Sequence, residues 1–234
     1  MTKQVSRSNL LSLNYPNLNP SINLLTDFFG QDHPNHRQIE IRNPHNEHPV
    51  SDKVRRSARK ASVLFLLLKQ PPTQDNACGL SFILTRRSET IRFGGHLCLP
   101  GGTQDKEDDS SITTALRETH EEIGLEPSDV EVLGTLGKYY SQAGFCITPV
   151  FGFANHPVEF VAQTSEVAAI HEIPIEMIFR ADSYTTKTAG QNSYYHFNYQ
   201  DLTVGGPTAS LLIGFYESLL QYTQRCRESL TDPL

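Results

Sequence analysis

The chain has 234 residues, with 20 lysines and arginines against 26 aspartates and glutamates, a formal net charge of −6. That length suits one domain, or one domain with an extension, and a charged share of 20% is moderate enough to argue against wholesale disorder. Net acidity excludes a general nucleic-acid coat or a binder of anionic membranes. An anionic ligand would have to be held by a local basic patch or by a metal ion.

Residues 1–60 are rich in Asn, Pro and His and read as an N-terminal extension, expected to be partly disordered or helical. They precede a domain at 61–228 and a tail at 229–234. Residues 22–29 are amphipathic and predict a short helix docked on the domain. His33, His36, His45 and His48 lie among prolines without ligand spacing and read as solvated loop residues. Residues 53–60 carry five positive charges, which predicts a solvated helix face. The alternative is an electrostatic funnel for an anionic substrate. No apolar core of a signal peptide follows the first residues.

The longest apolar run, residues 63–68, is far short of a bilayer span and reads as a strand buried on both faces. From Ala61 the pattern alternates between strand and helix. Strands are predicted at 61–69 and 80–85, a turn at 71–76, and a helix at 110–123. Strands follow at 130–138 and 146–153, then a short helix at 174–179, a strand at 194–199 and an amphipathic helix at 208–227. The fold class is therefore α/β. Cys78, Cys98, Cys146 and Cys226 form no Cys-x-x-Cys pair. They read as free thiols of a cytoplasmic protein.

The chemistry lies between Gly101 and Leu125. Ser110 or Ser111 can cap a helix whose positive end favours Asp108 and Asp109, and Gly124 can end it. Ile112, Leu116, Thr119 and Ile123 fall on one stripe for packing against a sheet. At about 100° per residue, Glu118, Glu121 and Glu122 share one face. Three carboxylates side by side repel one another. A solvated acidic face explains the acidity, but not Arg117 beside the cluster or the glycines leading into it. A divalent cation explains both, since Mg2+ takes hard oxygen ligands and bridges phosphates. The Pro100-Gly101-Gly102 turn lets backbone approach a ligand closely.

Arg117-Glu118-Thr119-His120-Glu121-Glu122-Ile123-Gly124-Leu125 resembles the second half of the Nudix box, with Thr119 where an aliphatic residue is common. The first half is one residue longer than the general pattern, and Asp108 or Asp109 replaces its early Glu. That departure is usual in the branch similar to coenzyme A pyrophosphatases. Leu84-Thr85-Arg86-Arg87-Ser88, Arg92 and Leu99-Pro100-Gly101-Gly102 resemble the segment ahead of the box in that branch. Thr148-Pro149-Val150 resembles its Thr-Pro-Val strand. Gly205-Gly206-Pro207-Thr208-Ala209 is similar to a segment that has Trp in place of Gly205.

The resemblance implies a Nudix fold, an α/β/α sandwich with a mixed sheet, and metal-dependent hydrolysis of the coenzyme A pyrophosphate to 3′,5′-ADP and 4′-phosphopantetheine. It implies Mg2+ or Mn2+ held by Glu118, Glu121 and Glu122, with Glu121 also a water-orienting base and Arg117 holding a box carboxylate. Glu166 is a further candidate base, and its alternative is a surface residue. Arg86, Arg87, Arg92, Gly101 and Gly102 are candidate substrate contacts. His96 is expected to be a buried, hydrogen-bonded histidine, the alternative being that it faces the pocket. The alternatives are hydrolysis of NADH or ADP-ribose, or a non-catalytic ligand-binding module. The expected partner is a small-molecule substrate rather than nucleic acid or membrane, with a homodimer left open.

Overall fold

The computed structural model describes residues 17–30, 40–41, 51–189 and 192–231. The four histidines of the extension, residues 1–16 and the last three residues lie outside them. The helices are α1 (Ile22–Gly30), α2 (Asp52–Ser57), α3 (Ser111–Ile123) and α4 (Gly206–Thr231). The strands run β1 (Glu40–Ile41), β2 (Arg59–Lys69), β3 (Leu80–Arg87), β4 (Leu97–Cys98), β5 (Gly101–Thr103), β6 (Glu131–Thr135) and β7 (Lys138–Tyr140). They continue with β8 (Phe145–Asn155), β9 (Val167–Pro174), β10 (Tyr184–Ala189), β11 (Asn192–Tyr199) and β12 (Leu202–Val204).

The run at 63–68 is a central strand of a mixed sheet ordered β1-β7-β8-β2-β3-β4. One edge of β2 pairs in parallel with β8 along its whole length, from Arg59 opposite Phe145 to Lys69 opposite Asn155. Its other edge is shared. Ala61–Val63 pair with β5 and Leu67–Lys69 with β3, both antiparallel. Period-two geometry divides the apolar run between the two faces of the sheet. Leu64, Leu66 and Leu68 pack with Ala115 and Ile123 of α3. Phe65 and Leu67 pack with Phe215 and Leu219 of α4 on the opposite face. Helices thus cover both faces, giving the α/β/α sandwich expected.

α1 belongs to the second of these cores. Leu25 and Phe28 are fully buried, and the Phe28 ring lies 5.4 Å from Tyr222. The amphipathic piece of the extension is therefore packed against the C-terminal helix. Of the basic run at 53–60, Lys53, Arg55 and Arg56 lie on α2, while Arg59 and Lys60 already belong to β2. The predicted strand at 130–138 is two strands, β6 and β7. The predicted short helix at 174–179 is a 3-10 turn, Ile175–Phe179, and Pro174 instead ends β9. No helix among the described residues is long and apolar enough to cross a membrane, and all four cysteines are free.

Candidate active site

β5 sets the site. Pairing with β2 brings Gly101 opposite Val63 and Gly102 opposite Ser62. Gly101 has φ 142°, and a Cβ there would lie 2.3 Å from the Ser62 carbonyl oxygen. A Cβ on Gly102 would lie 2.3 Å from Glu118 Oε2. The two glycines therefore let a strand edge pass directly beneath a carboxylate of α3.

α3 is held at both ends. Ser110 Oγ accepts from Thr113 N at 3.1 Å, and Gly124, with φ 72°, donates its N–H to the His120 carbonyl. Its buried residues are Thr114, Ala115, Thr119, Glu122 and Ile123. The polar Thr119 is tolerated on this line because its hydroxyl donates to the Ala115 carbonyl at 2.7 Å. Glu122 falls on the same buried line.

The three box carboxylates accordingly meet different surroundings. Glu121 is outermost, its side chain 55% exposed, and it accepts from Arg117 Nη1 at 3.0 Å. Glu118 Oε1 accepts from Arg117 Nη2 at 3.0 Å. Glu122 is innermost, and its Oε2 accepts from the Gly101 N–H at 3.1 Å. Burial raises Glu118 above its ordinary value despite Arg117, with the charges of Glu121 and Glu166 adding to the rise. Burial pushes Glu122 up to about 7, against the Gly101 N–H bond and the charge of Arg87. The neighbouring charges of Glu118 and Glu166 push it further in the same direction.

Arg117 is anchored by Asp108, one of the two aspartates that stand in place of the early Glu of the box. Asp108 accepts from both Arg117 Nε (3.1 Å) and Nη2 (2.9 Å), a bidentate pair, and from the Asp105 N–H at 2.9 Å. The Thr103 carbonyl of β5 also accepts from Arg117 Nη2, at 3.2 Å. One guanidinium therefore ties the Asp108 loop, the end of β5, Glu118 and Glu121 together. The sequence clue to Asp108 was its place where the box has its early Glu. The contact itself closes a loop of nine residues and has no local pattern.

Glu166 is brought in by backbone bonding. Its carbonyl accepts from Ser88 N at 2.7 Å and its N–H donates to the Gln163 carbonyl at 2.8 Å, while Gln163 N bonds the Glu122 carbonyl at 2.9 Å. Its charge acts on both Glu118 and Glu122. Arg86 and Arg87 part company on β3. The charge of Arg87 acts on Glu122 and on the partly buried Cys98 thiol, which Thr208 of α4 also reaches. Arg86 instead donates to the Gly95 carbonyl at 3.2 Å and acts on His171. Arg92 is exposed, with its guanidinium over the Phe93 ring. His96, expected to be buried, is exposed beside that ring because it sits on the β3–β4 loop.

These residues suit a hard divalent cation that keeps most of its own water. Among the described residues no group of three or more His, Cys, Asp or Glu side chains is drawn together closely enough to form a ready-made metal site. The candidate donors are Glu118 and Glu122, whose proton affinity burial and neighbouring carboxylates raise, and the more exposed Glu121, each with one oxygen oriented by Arg117 or by the Gly101 N–H. With its proton affinity raised to about 7, Glu122 would be favoured in its ionised form by a cation bound beside it.

Comparison with known proteins finds Nudix relatives. The NUDIX domain family matches residues 44–189. The chain is 35% identical over 173 residues to an uncharacterized Nudix hydrolase, NudL, of Pectobacterium atrosepticum, covering 71% of this chain and 84% of that protein. It is 32% identical over 170 residues to NudL of Photorhabdus laumondii, covering 70% and 87%. It is 31% identical over 195 residues to NudL of Yersinia pestis, covering 81% and 94%. Among solved structures, a Nudix hydrolase of M. smegmatis, RenU, aligns with TM-score 0.46 and 20% identity, covering 76% of this chain and 89% of that one. With a matched segment that spans β2 to β10 and contains the glycine turn and the carboxylate helix, the chain belongs to the Nudix family.

Proposed function

We infer that this chain is a pyrophosphohydrolase acting on nucleoside diphosphate derivatives, as its family does, and we propose that its substrate is coenzyme A or a coenzyme A derivative. One observation carries the reading. Glu118, Glu122 and Glu166 sit within one another's fields around the Gly101–Gly102 turn, with the Arg87 cation acting on the same place. Carboxylates for a cation and a guanidinium for phosphate oxygens are the two things that diphosphate cleavage needs.

Glu118 and Glu122 are the residues we assign to hold Mg2+ or Mn2+, with Glu121 at the outer side. The ion, when bound, neutralises charge on the diphosphate and makes a water acidic enough to attack. Arg117 orients Glu118 and the outer Glu121 and is itself kept in place by Asp108. Glu166 accepts the proton of the attacking water, and the fixed Ser88–Glu166 backbone bond holds its segment against the end of β3. Arg87 faces the diphosphate. Arg92, exposed at the rim, is the cation available for the 3′-phosphate of coenzyme A. Arg86 is turned to the other face of β3 and steadies the loop instead.

The test is kcat/KM for coenzyme A, dephospho-coenzyme A, NADH and ADP-ribose with Mg2+ or Mn2+. The expected order places coenzyme A first, and an Arg92→Gln variant loses about tenfold or more on coenzyme A but not on dephospho-coenzyme A. Faster turnover of NADH or ADP-ribose would leave the hydrolase reading intact and remove the coenzyme A proposal.

A further inference from the structure

The loop at residues 88–96, between β3 and β4, holds an aromatic ring that folding alone does not account for. Phe93 is 50% exposed, so its ring gains little from burial. Its backbone is also left-handed, with φ 62°, a conformation unfavourable for a bulky L-residue. The surrounding bonds impose it. Arg87 Nε donates to the Arg92 carbonyl at 3.2 Å, and Arg86 Nη1 to the Gly95 carbonyl at 3.2 Å. Gly95 N and Arg87 N bond back across the loop, to the Arg87 and His96 carbonyls, at 3.0 and 2.9 Å. A Cβ on Gly94 would lie 2.7 Å from Glu89 Cα, so the backbone is folded tightly beneath the ring.

The loop is also tied to the reaction centre. Arg87, whose guanidinium bonds the carbonyl just before Phe93, is the cation whose charge acts on Glu122. Ser88, the first loop residue, bonds the Glu166 carbonyl. The Arg92 guanidinium lies over one face of the Phe93 ring, its carbon 4.7 Å from the centroid.

We propose that Phe93 is a stacking platform for the purine base of the nucleotide substrate, a proposal that rests on the hydrolase reading above. A rigidly presented, half-exposed aromatic ring whose one face already carries a guanidinium matches a flat base with phosphate nearby, the base stacking on the face opposite Arg92. An aliphatic arm would be served as well by a leucine, and would not call for a planar ring in a disfavoured backbone conformation.

The test measures binding of ADP with Mg2+, and of inorganic pyrophosphate with Mg2+, to the wild type and to Phe93→Asn and Phe93→Leu. Asparagine tolerates the left-handed backbone, so the Asn variant should melt no lower than the wild type. Both variants should bind ADP about five- to a hundredfold more weakly and pyrophosphate as before. Unchanged ADP affinity in either variant overturns the platform. So does parallel loss of ADP, pyrophosphate and thermal stability, which would mark a purely structural residue. Wild-type hydrolysis of coenzyme A, followed in the same preparations, separates the two claims. Hydrolysis with ADP affinity insensitive to Phe93 removes the platform and keeps the hydrolase reading. A wild type that neither binds ADP nor cleaves any nucleotide removes both.

Discussion

Glu122→Gln should lower kcat on the order of a thousandfold or more, since it removes the innermost of the carboxylates assigned to the cation. The metal-free variant should nevertheless be the more stable protein at pH 8. Glu122 is 4% exposed and its folded-state affinity for a proton is raised, to about 7. A raised carboxyl costs stability wherever the unfolded chain ionises and the folded one resists, that is, increasingly from about pH 4.5 and fully above about pH 7. Glutamine removes that cost and can still accept the Gly101 N–H bond. The expected gain is about 1 to 3 kcal/mol at pH 8 and near zero at pH 4.5, read from urea unfolding in EDTA. Adding Mn2+ should then stabilise the wild type by mass action and leave the variant where it was. A variant less stable than the wild type at pH 8 without metal would show that the buried carboxylate is not held under this strain.

The second large effect concerns Asp108, whose side chain is 3% exposed and bonded twice to Arg117. Asp108→Asn leaves a partly buried guanidinium, 26% exposed, without its bidentate partner. The expected loss is about 3 kcal/mol, the low end for breaking a buried pair, read from urea midpoints at pH 7. Activity should fall as well, because Glu118 and Glu121 take their orientation from the same guanidinium. The pH dependence has the opposite sign to that of Glu122. The Arg117 bond holds the Asp108 carboxyl well below the usual carboxylate range. Its contribution is therefore complete above about pH 4, the ordinary value of an aspartate, and fades as the pH falls further. The gap between wild type and variant should close in acid. A constant gap from pH 7 to pH 2 would mean that the charge of Asp108 is not what stabilises the loop.

Those two residues also show what the sequence could and could not reveal. Helix α3 was legible because its cap, its apolar stripe and its terminal glycine all lie within a few residues of one another. The central strand was legible because a run apolar on every position has to be buried on both faces. The distribution of the three carboxylates was not legible. A helical wheel places Glu118, Glu121 and Glu122 on one face, and only packing against the sheet shows that Glu122 is turned inward and Glu121 outward. Strand β9 was missed for a related reason. Val167–Pro174 mixes polar and apolar residues without a clean period, and it is a strand because it pairs with β3 from Ser81 to Arg87. The sequence prediction also ended β3 at Thr85, two residues early. Carried on, simple alternation would have placed Arg86 and Arg87 on opposite faces. The clamp from Asp108 and the tie between Ser88 and Glu166 span nine and 78 residues of chain. Such contacts leave no periodic trace.

The central claim is that this site uses a cation-dependent water to split the diphosphate of coenzyme A. It is tested most directly by mass spectrometry of coenzyme A incubated with the protein and Mn2+ in 18O-labelled water. The account predicts equal amounts of 3′,5′-ADP and 4′-phosphopantetheine, one of them carrying a single 18O, with product formation lost in EDTA and lowered about a thousandfold or more by Glu122→Gln. Intact coenzyme A in the presence of Mn2+, or the same products at the same rate in EDTA, would contradict it.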